Sequence, residues 1–189
     1  TSQEDVFKES TEPMITAVLD GYNVAVIAYG QTGTGKTHTM MGTEDDPGVT
    51  FRSVNHLLIN GKANKNVEYT ITVSMLEVYL DKLVDLLSSN PVEKQSCGIK
   101  GGRVEGLTQR EVTSTEEVLA IMTEGKSNRK VASTAMNSES SRSHLVVFIT
   151  VAGYNSVSLI SSSAKLTLVD LAGSERMEKS PTGVASKHN

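Results

Sequence analysis

A glycine-rich segment that directly follows a short apolar run constrains the fold of this chain more than any other feature. Residues 24–29 read Val-Ala-Val-Ile-Ala-Tyr, and residues 30–37 read Gly-Gln-Thr-Gly-Thr-Gly-Lys-Thr. A continuous apolar run bounded by glycine predicts a buried strand. The second segment matches G-x-x-x-x-G-K-[ST], the pattern of a phosphate-binding loop between a strand and a helix. Together they predict an α/β fold in which a layered sheet is flanked by helices.

The residue types in this loop suit a phosphate chain. Its glycines let the backbone turn so that N–H groups converge on phosphate oxygens. Lys36 would neutralise the β- and γ-phosphates, and the hydroxyl of Thr37 would ligate Mg²⁺. The predicted phosphate-contacting residues are Gly30, Gln31, Thr32, Gly33, Thr34, Gly35, Lys36 and Thr37. The alternative is a glycine- and threonine-rich turn that matches the pattern by chance.

A second candidate site follows a predicted strand. Asp170-Leu171-Ala172-Gly173 comes directly after the apolar residues 166–169. An acid at the end of a buried strand can hold Mg²⁺ through water, and Gly173 would let a backbone N–H approach a γ-phosphate. The alternative is that Asp170 merely caps a turn.

A third candidate site is rich in hydroxyl groups. Residues 137–144 read Asn-Ser-Glu-Ser-Ser-Arg-Ser-His, just before another predicted strand. Hydroxyl groups can ligate Mg²⁺ and orient a water, and Arg142 can pair with a carboxylate or a phosphate. The alternative is a solvated serine-rich loop.

Composition and charge exclude several classes of protein. The 189 residues suit one domain, and 38% apolar residues with only 4% aromatic ones predict an aliphatic core. Lys and Arg number 18 against 22 Asp and Glu, a net charge of −4 that argues against a nucleic-acid partner. No apolar run is long enough to cross a bilayer and no signal-peptide pattern opens the sequence, so we expect no membrane partner. The single Cys97 suits a reducing compartment.

Periodicity and turn residues predict the remaining elements. A helix over residues 3–20 is expected to end at Gly21, and another to run over residues 115–130. Two basic clusters, Lys62/Lys65 and Lys126/Arg129/Lys130, are expected to be solvated. Further strands are predicted over residues 67–78, 144–151 and 165–171, a short helical turn or loop over 79–87, a loop over 88–102 and a turn over 156–163.

The order and combination of the three candidate sites resemble those of kinesin motor domains. Residues 21–40 resemble the phosphate loop of that family, and residues 137–144 resemble its switch I. Residues 170–176, Asp-Leu-Ala-Gly-Ser-Glu-Arg, resemble its switch II. Shorter stretches at residues 76–87 and 104–107 are also similar to the family.

The resemblance implies a P-loop ATPase, with ATP or ADP and Mg²⁺ as cofactors. Ser141 would join Thr37 near Mg²⁺, and Gly173 would sense the γ-phosphate through its amide. Arg142 and Glu175 would form an ion pair that closes around ATP and positions the attacking water.

The same resemblance assigns three further residues. Asn137 would help to hold the water or its proton path. Tyr22 and His38 match positions that flank the adenine in kinesins. Ordinary packing after a helix cap is the alternative for Tyr22.

The resemblance also implies microtubules as the partner of the full motor domain, in the cytoplasm and on the cytoskeleton. The sequence lacks the family's initial strand with Arg-x-Arg-Pro and its C-terminal microtubule-binding helices, so residues 1–189 are expected to be the ATP-binding half of a motor domain. The strand over residues 24–29 would then lie at a sheet edge, and the chain alone is expected to be unstable or to aggregate. Any dimer is expected to form through segments outside these residues.

Two rival functions stay open at this point. One is a nucleotide-dependent switch or scaffold of the kinesin fold without motility. The other is an unrelated phosphate-loop NTPase of the GTPase type, which the absence of an Asn/Thr-Lys-x-Asp guanine-binding sequence disfavours.

Overall fold

The computed structural model describes residues 2–89, 97–135 and 140–175, and shows a central sheet packed against helices. The helices are α1 (Gln3–Val6), α2 (Glu12–Leu19), α3 (Lys36–Met41), α4 (Val49–Ala63) and α5 (Thr115–Ala135). The strands are β1 (Val24–Ala28), β2 (Val67–Tyr79), β3 (Lys82–Asp85), β4 (Gly98–Lys100), β5 (Arg103–Glu105), β6 (Arg110–Glu111), β7 (His144–Asn155) and β8 (Ile160–Asp170). None of the described helices has the length and apolar composition needed to span a membrane.

The main sheet has the strand order β1-β8-β7-β2-β3, with β6 also pairing with β2. Strand β1 is parallel to β8, whereas β7 is antiparallel to both β8 and β2. The parallel register places Ala28, the last residue of β1, opposite Asp170, the last residue of β8. The loops that leave these two strands therefore start side by side.

The core lies between one face of the sheet and the helices α2, α4 and α5. Buried and partly exposed residues alternate along β7, as the two-residue period of a strand requires. The core is mainly aliphatic, as the composition predicts. Its most deeply buried members include Ile15, Val18, Val54, Leu57, Val73, Ile149 and Leu166.

The predicted N-terminal helix is present, with a π-helical turn over Phe7–Thr11 between α1 and α2. The π-helical turn ends just before Pro13. Proline has no backbone N–H, so it cannot donate an α-helical hydrogen bond at this position. At the other end Gly21 has a φ of 96° and donates to the carbonyl of Val18, while Tyr22 donates to that of Ala17. This bond pair is a Schellman cap, so the predicted glycine stop is confirmed.

Two predicted connections contain strands instead. Residues 79–87 do not form a helical turn, because β2 continues to Tyr79 and reverses through Leu80 and Asp81 into β3. Both turn residues have positive φ, 46° and 61°, as a type I′ hairpin turn requires. Within residues 88–102, the glycine pair 101–102 turns β4 back against β5.

The predicted turn over residues 156–163 is also shorter than expected. Ser161, Ser162 and Ser163 belong to β8 and pair with residues 152–154 of β7. Because these three residues are exposed serines, the sequence shows no alternation of apolar and polar residues here, and the strand was not predicted over them. Helix α4 was not predicted at all. Its buried residues recur at helical spacing, but polar residues interrupt them.

Strand β1 lies at the edge of the described sheet, where it pairs with β8 alone. The edge position is as expected, but the prediction that this strand is buried is wrong. Its residues alternate between half-buried and exposed, and the side chain of Ile27 is 58% exposed. The helices cover one face of β1, so Ala25 and Ile27 remain exposed on the other face.

We predict that the exposed edge makes the isolated chain self-associate. An apolar strand with unpaired backbone groups is a template for pairing with another chain. Size-exclusion chromatography with light scattering should therefore show oligomers that increase with protein concentration. Ile27→Lys should reduce them, because a charge on an edge strand opposes pairing. The matched control is Val157→Lys, which adds the same charge at the 75%-exposed Val157 in the β7–β8 turn. A monomeric wild-type sample would contradict the prediction.

Candidate functional site

The loop between β1 and α3 has the backbone geometry that its glycines predict. Gly30, Gly33 and Gly35 have φ values of 152°, 81° and 91°. Gly35 is the N-cap residue of α3 in the left-handed region, which other residues adopt only at a cost. The strand, loop and helix therefore follow one another as the motif requires.

Lys36 lies over the start of this loop. Its Nζ donates to the carbonyl oxygens of Gly30 at 2.9 Å and Gln31 at 2.8 Å. Lys36 is one of the residues that line an open cavity of about 310 Å³. Residues from all three candidate sites line this cavity, among them Thr37, Ser141 and Gly173.

Asp170 faces the loop from the end of β8. It is 3% exposed, and its Oδ2 accepts a 2.6 Å hydrogen bond from the hydroxyl of Thr37. Asp170 thus joins the end of β8 to the first turn of α3 and does not merely cap a turn. Within the described part of the chain its buried Oδ1 has no hydrogen-bond partner.

These oxygen atoms fit a magnesium ion held partly through water. Mg²⁺ usually keeps several waters and takes one or two protein oxygens together with substrate phosphates. The Thr37 hydroxyl and the Asp170 carboxylate are ligands of that kind. Over the described ranges no cluster of three or more His, Cys, Asp or Glu residues could form an all-protein metal cage.

The segment after β8 is tied to both other candidate sites by backbone hydrogen bonds. Gly173 donates to the carbonyl of Ser141 at 2.9 Å, and Ser174 donates to that of Gly30 at 3.1 Å. Ser141 itself lies in a short 3₁₀ turn, Ser140–Arg142, just before β7. The structure therefore brings residues 30, 141 and 173 together although they are far apart in sequence.

Glu175 contacts the glycine-rich loop between β1 and α3 at Thr32. Its Oε2 accepts the backbone N–H of Thr32 at 2.9 Å, and its Oε1 accepts the Thr32 hydroxyl hydrogen bond. The hydroxyl first, and then the backbone N–H, hold the pKa of this carboxyl below its usual value. Arg142 is exposed, and its predicted ion pair with Glu175 stays a prediction.

The remaining predicted residues have separate positions. The side chain of Tyr22 is 67% exposed beyond the cap of α2. His38 lies on α3, where the side-chain Nε2 of Gln3 contacts its Nδ1 at 3.1 Å and its carbonyl oxygen at 2.5 Å. Their contact with adenine stays a prediction. Asn137 lies outside the described residues.

Sequence analysis missed a buried charged group next to the site. Lys126 and Lys130 are exposed as expected, but Arg129 is only 8% exposed. Its Nε contacts Oε1 of the fully buried Glu77 at 3.1 Å. Two signals were available in the sequence. Glu77 interrupts an apolar stretch of β2, and Arg129 continues the helical spacing of the buried residues Val118, Ile121, Met122 and Gly125 on α5.

Comparison with known proteins finds relatives over almost the whole chain. The family model described as "Kinesin motor domain" matches residues 1–188. Kinesin-like protein KIN-14P of Arabidopsis thaliana is 43% identical over 190 residues, covering 95% of this chain and 18% of the relative. Kinesin-like protein klp-3 of Caenorhabditis elegans is 40% identical over 181 residues, covering 94% of this chain and 30% of the relative.

A solved structure agrees with these sequence relatives. The structure of a fast kinesin superposes with a TM-score of 0.86 at 39% identity, over 99% of this chain and 54% of the solved one. The chain thus spans about half of that solved chain and less than a third of the two curated relatives. The family match, the fold and the three motifs agree, and the chain belongs to the kinesin motor-domain family.

Proposed function

We propose that this chain binds and hydrolyses Mg·ATP as part of a microtubule motor, and that residues 1–189 are part of a kinesin motor domain. The observation that carries the proposal is that Lys36 and Thr37 line one cavity, while the Thr37 hydroxyl donates a hydrogen bond to the buried carboxylate of Asp170. Microtubules are the proposed track of the complete domain, which places the protein in the cytoplasm on the cytoskeleton. A dimer would form through segments outside these residues.

The phosphate loop would hold the nucleotide through its backbone N–H groups. Lys36 would exchange its bonds to two loop carbonyls for bonds to phosphate oxygens, which attract an ammonium more strongly. Thr37 and Ser141 would supply hydroxyl oxygens to Mg²⁺, and Asp170 would hold it through water. When bound, the ion would supply positive charge that neutralises the charge developing on the phosphates.

The segment after β8 would report on the γ-phosphate. Gly173 would present its amide to that phosphate, and an ideal Cβ placed there would collide with Thr32 and Glu175. Glu175 would leave Thr32 and pair with Arg142, closing the site around ATP. Asn137 would orient the attacking water.

The base would lie against Tyr22 and His38. The amide of Gln3 donates to the His38 carbonyl and lies 3.1 Å from Nδ1 of the ring. Gln3 is only 5% exposed, so this buried amide contacts both the imidazole and the backbone of His38.

Lys36→Ala should weaken ATP binding about 10- to 100-fold, the usual value of a hydrogen bond to a charged group. Titration with a fluorescent ATP analogue measures the effect. Lys126→Ala, which removes an exposed lysine on α5, should bind as the wild type does. Competition by ATP but not by GTP would separate this function from that of a GTPase. Equal affinity of wild type and Lys36→Ala would contradict the proposed site.

Phosphate release from ATP by this chain should not respond to microtubules. The chain spans 54% of the solved kinesin chain, and we propose that the main track-binding surface lies in the rest. The measurement compares release with and without microtubules, using Lys36→Ala as the inactive control. Stimulation that the control loses would show that these residues suffice for the motor cycle. A complete domain that binds microtubules without stimulated release would instead favour a non-motile switch.

Charge reversal tests the switch pair. Arg142→Glu and Glu175→Arg should each lower basal phosphate release about tenfold or more, which corresponds to about 1.4 kcal/mol in the barrier. The double variant should recover part of the loss, because opposite charges again face each other. Arg110→Glu, which reverses an exposed charge that pairs with Glu124 away from the site, should keep turnover. A double variant no faster than either single variant would refute the pair.

A further inference from the structure

A buried glutamine in the first turn of the N-terminal helix contacts the helix that follows the glycine-rich loop. Gln3 is 5% exposed, although glutamine is mostly an exposed residue. Its Nε2 lies 2.5 Å from the carbonyl oxygen of His38 and 3.1 Å from Nδ1 of the His38 ring. Burying an amide is costly unless it is hydrogen-bonded. The amide nitrogen of Gln3 therefore makes both of its contacts with a single residue of α3.

The backbone around Gln3 is fixed by the start of α1. The Ser2 hydroxyl accepts the N–H of Asp5 at 3.1 Å, and the Asp5 carboxylate accepts the N–H of Ser2 at 2.9 Å, which is a capping box. The carbonyl of Gln3 accepts the N–H of Phe7, so Gln3 and Phe7 lie on the same face of the helix. Phe7 is 7% exposed and belongs to the core. The core thus anchors the turn that carries the Gln3 amide.

His38 lies between Gln3 and the candidate site. It lines the 310 Å³ cavity together with Lys36 and Thr37, whereas Gln3 is not among the described residues that line this cavity. The carbonyl of His38 also accepts the N–H of Gly42 at 2.8 Å, at the end of α3. Gln3 therefore contacts, from outside the cavity, a residue that borders it.

Helix α3 is too short to fix its side chains by itself. It has six residues, and helices of that length depend on contacts with other elements. Within the described part of the chain, no group other than the Gln3 amide hydrogen-bonds to the His38 ring. The position of this ring thus depends on Gln3.

We propose that Gln3 is a positioning residue for the base of the bound nucleotide and acts through His38, a role that rests on the proposed ATP site. Gln3 holds the Nδ1 edge of the imidazole toward α1 and keeps the ring beside the cavity. A flat base packs more favourably against a ring already in place, because less side-chain entropy is lost on binding.

A merely structural role predicts a different result. If Gln3 only fastened α1 to α3, its loss would displace the whole of α3, which begins at Lys36. Contacts with the base and with the phosphates would then weaken alike. A positioning role weakens only the contact with the base, because Lys36 hydrogen-bonds to the loop and not to Gln3.

The test is Gln3→Met, which keeps the length of the side chain and removes its amide. The affinities of ATP and of inorganic tripolyphosphate, which has no base, are measured with Mg²⁺ by displacement of a fluorescent ATP analogue. ATP binding should weaken about fivefold, the low end of what base–aromatic stacking contributes. The affinity for tripolyphosphate should stay as in the wild type.

A double-mutant cycle tests whether the effect passes through the ring. His38→Ala alone should weaken ATP binding and leave tripolyphosphate binding unchanged. Adding Gln3→Met to His38→Ala should then have no further effect, because the ring that Gln3 positions is absent.

Two further variants complete the design. Gln109→Met makes the same change at an exposed glutamine just before β6, and should leave both affinities unchanged. Gln3→Asn retains an amide but shortens the side chain by one methylene, which withdraws the amide from His38. It should also weaken ATP binding alone, and it decides the question if Gln3→Met fails to fold.

Three outcomes overturn the inference. Equal weakening of ATP and tripolyphosphate binding shows a merely structural role. Unchanged ATP affinity in a folded Gln3 variant shows that Gln3 does not act on the base. Additive losses in the double variant show that Gln3 does not act through His38. A wild-type chain that binds neither ligand refutes the proposed function itself, whereas a wild type that binds both, with unaffected Gln3 variants, refutes only this step.

Discussion

The parallel pairing of β1 with β8 is the constraint on which the site depends. Its register sets Ala28 beside Asp170, so the glycine loop and the acidic segment leave the sheet at adjacent points. The hydrogen bond from Thr37 to Asp170 then joins the first turn of α3 to the end of β8. Parallel strands cannot be joined by a tight turn. This hydrogen bond therefore joins two residues that are 133 positions apart in the sequence.

Burial explains why the charged groups beneath the site are so closely organised. Glu77, Asp170 and Arg129 are at most 8% exposed, and each is a group that is rarely buried alone. Arg129 of α5 contacts both carboxylates directly, and Ser143, just before β7, hydrogen-bonds to both Glu77 and Arg129. A displacement of any one of these elements would leave a buried charge unpaired, so the sheet and α5 must keep their relative position.

The sequence predicted what depends on local chemistry. The glycine loop, the cap at Gly21 and the acid after a strand are short patterns whose geometry neighbouring residues determine. What it mispredicted depends on distant residues. Strand β1 is apolar, but the fold covers only one of its faces. Ser161–Ser163 pair with β7 although the sequence has no apolar alternation there. Arg129 is buried because it pairs with Glu77, which lies on a different element of the fold. The spacing of either residue alone does not reveal that the two meet.

The hydrogen bonds of Glu175 set a further condition for the proposed binding of a nucleotide. Leu171 donates a backbone hydrogen bond to the end of β1, and Gly173 and Ser174 donate to neighbouring loops, whereas Glu175 is held through its side chain at Thr32. The Thr32 hydroxyl and N–H lower the pKa of Glu175, so the group is an anion at neutral pH. An anion on a loop N–H competes with a phosphate for that donor, because one N–H makes one strong hydrogen bond. On the proposed function, nucleotide entry would therefore be coupled to the departure of Glu175 from Thr32, and the freed carboxylate would be available for a cationic partner such as Arg142.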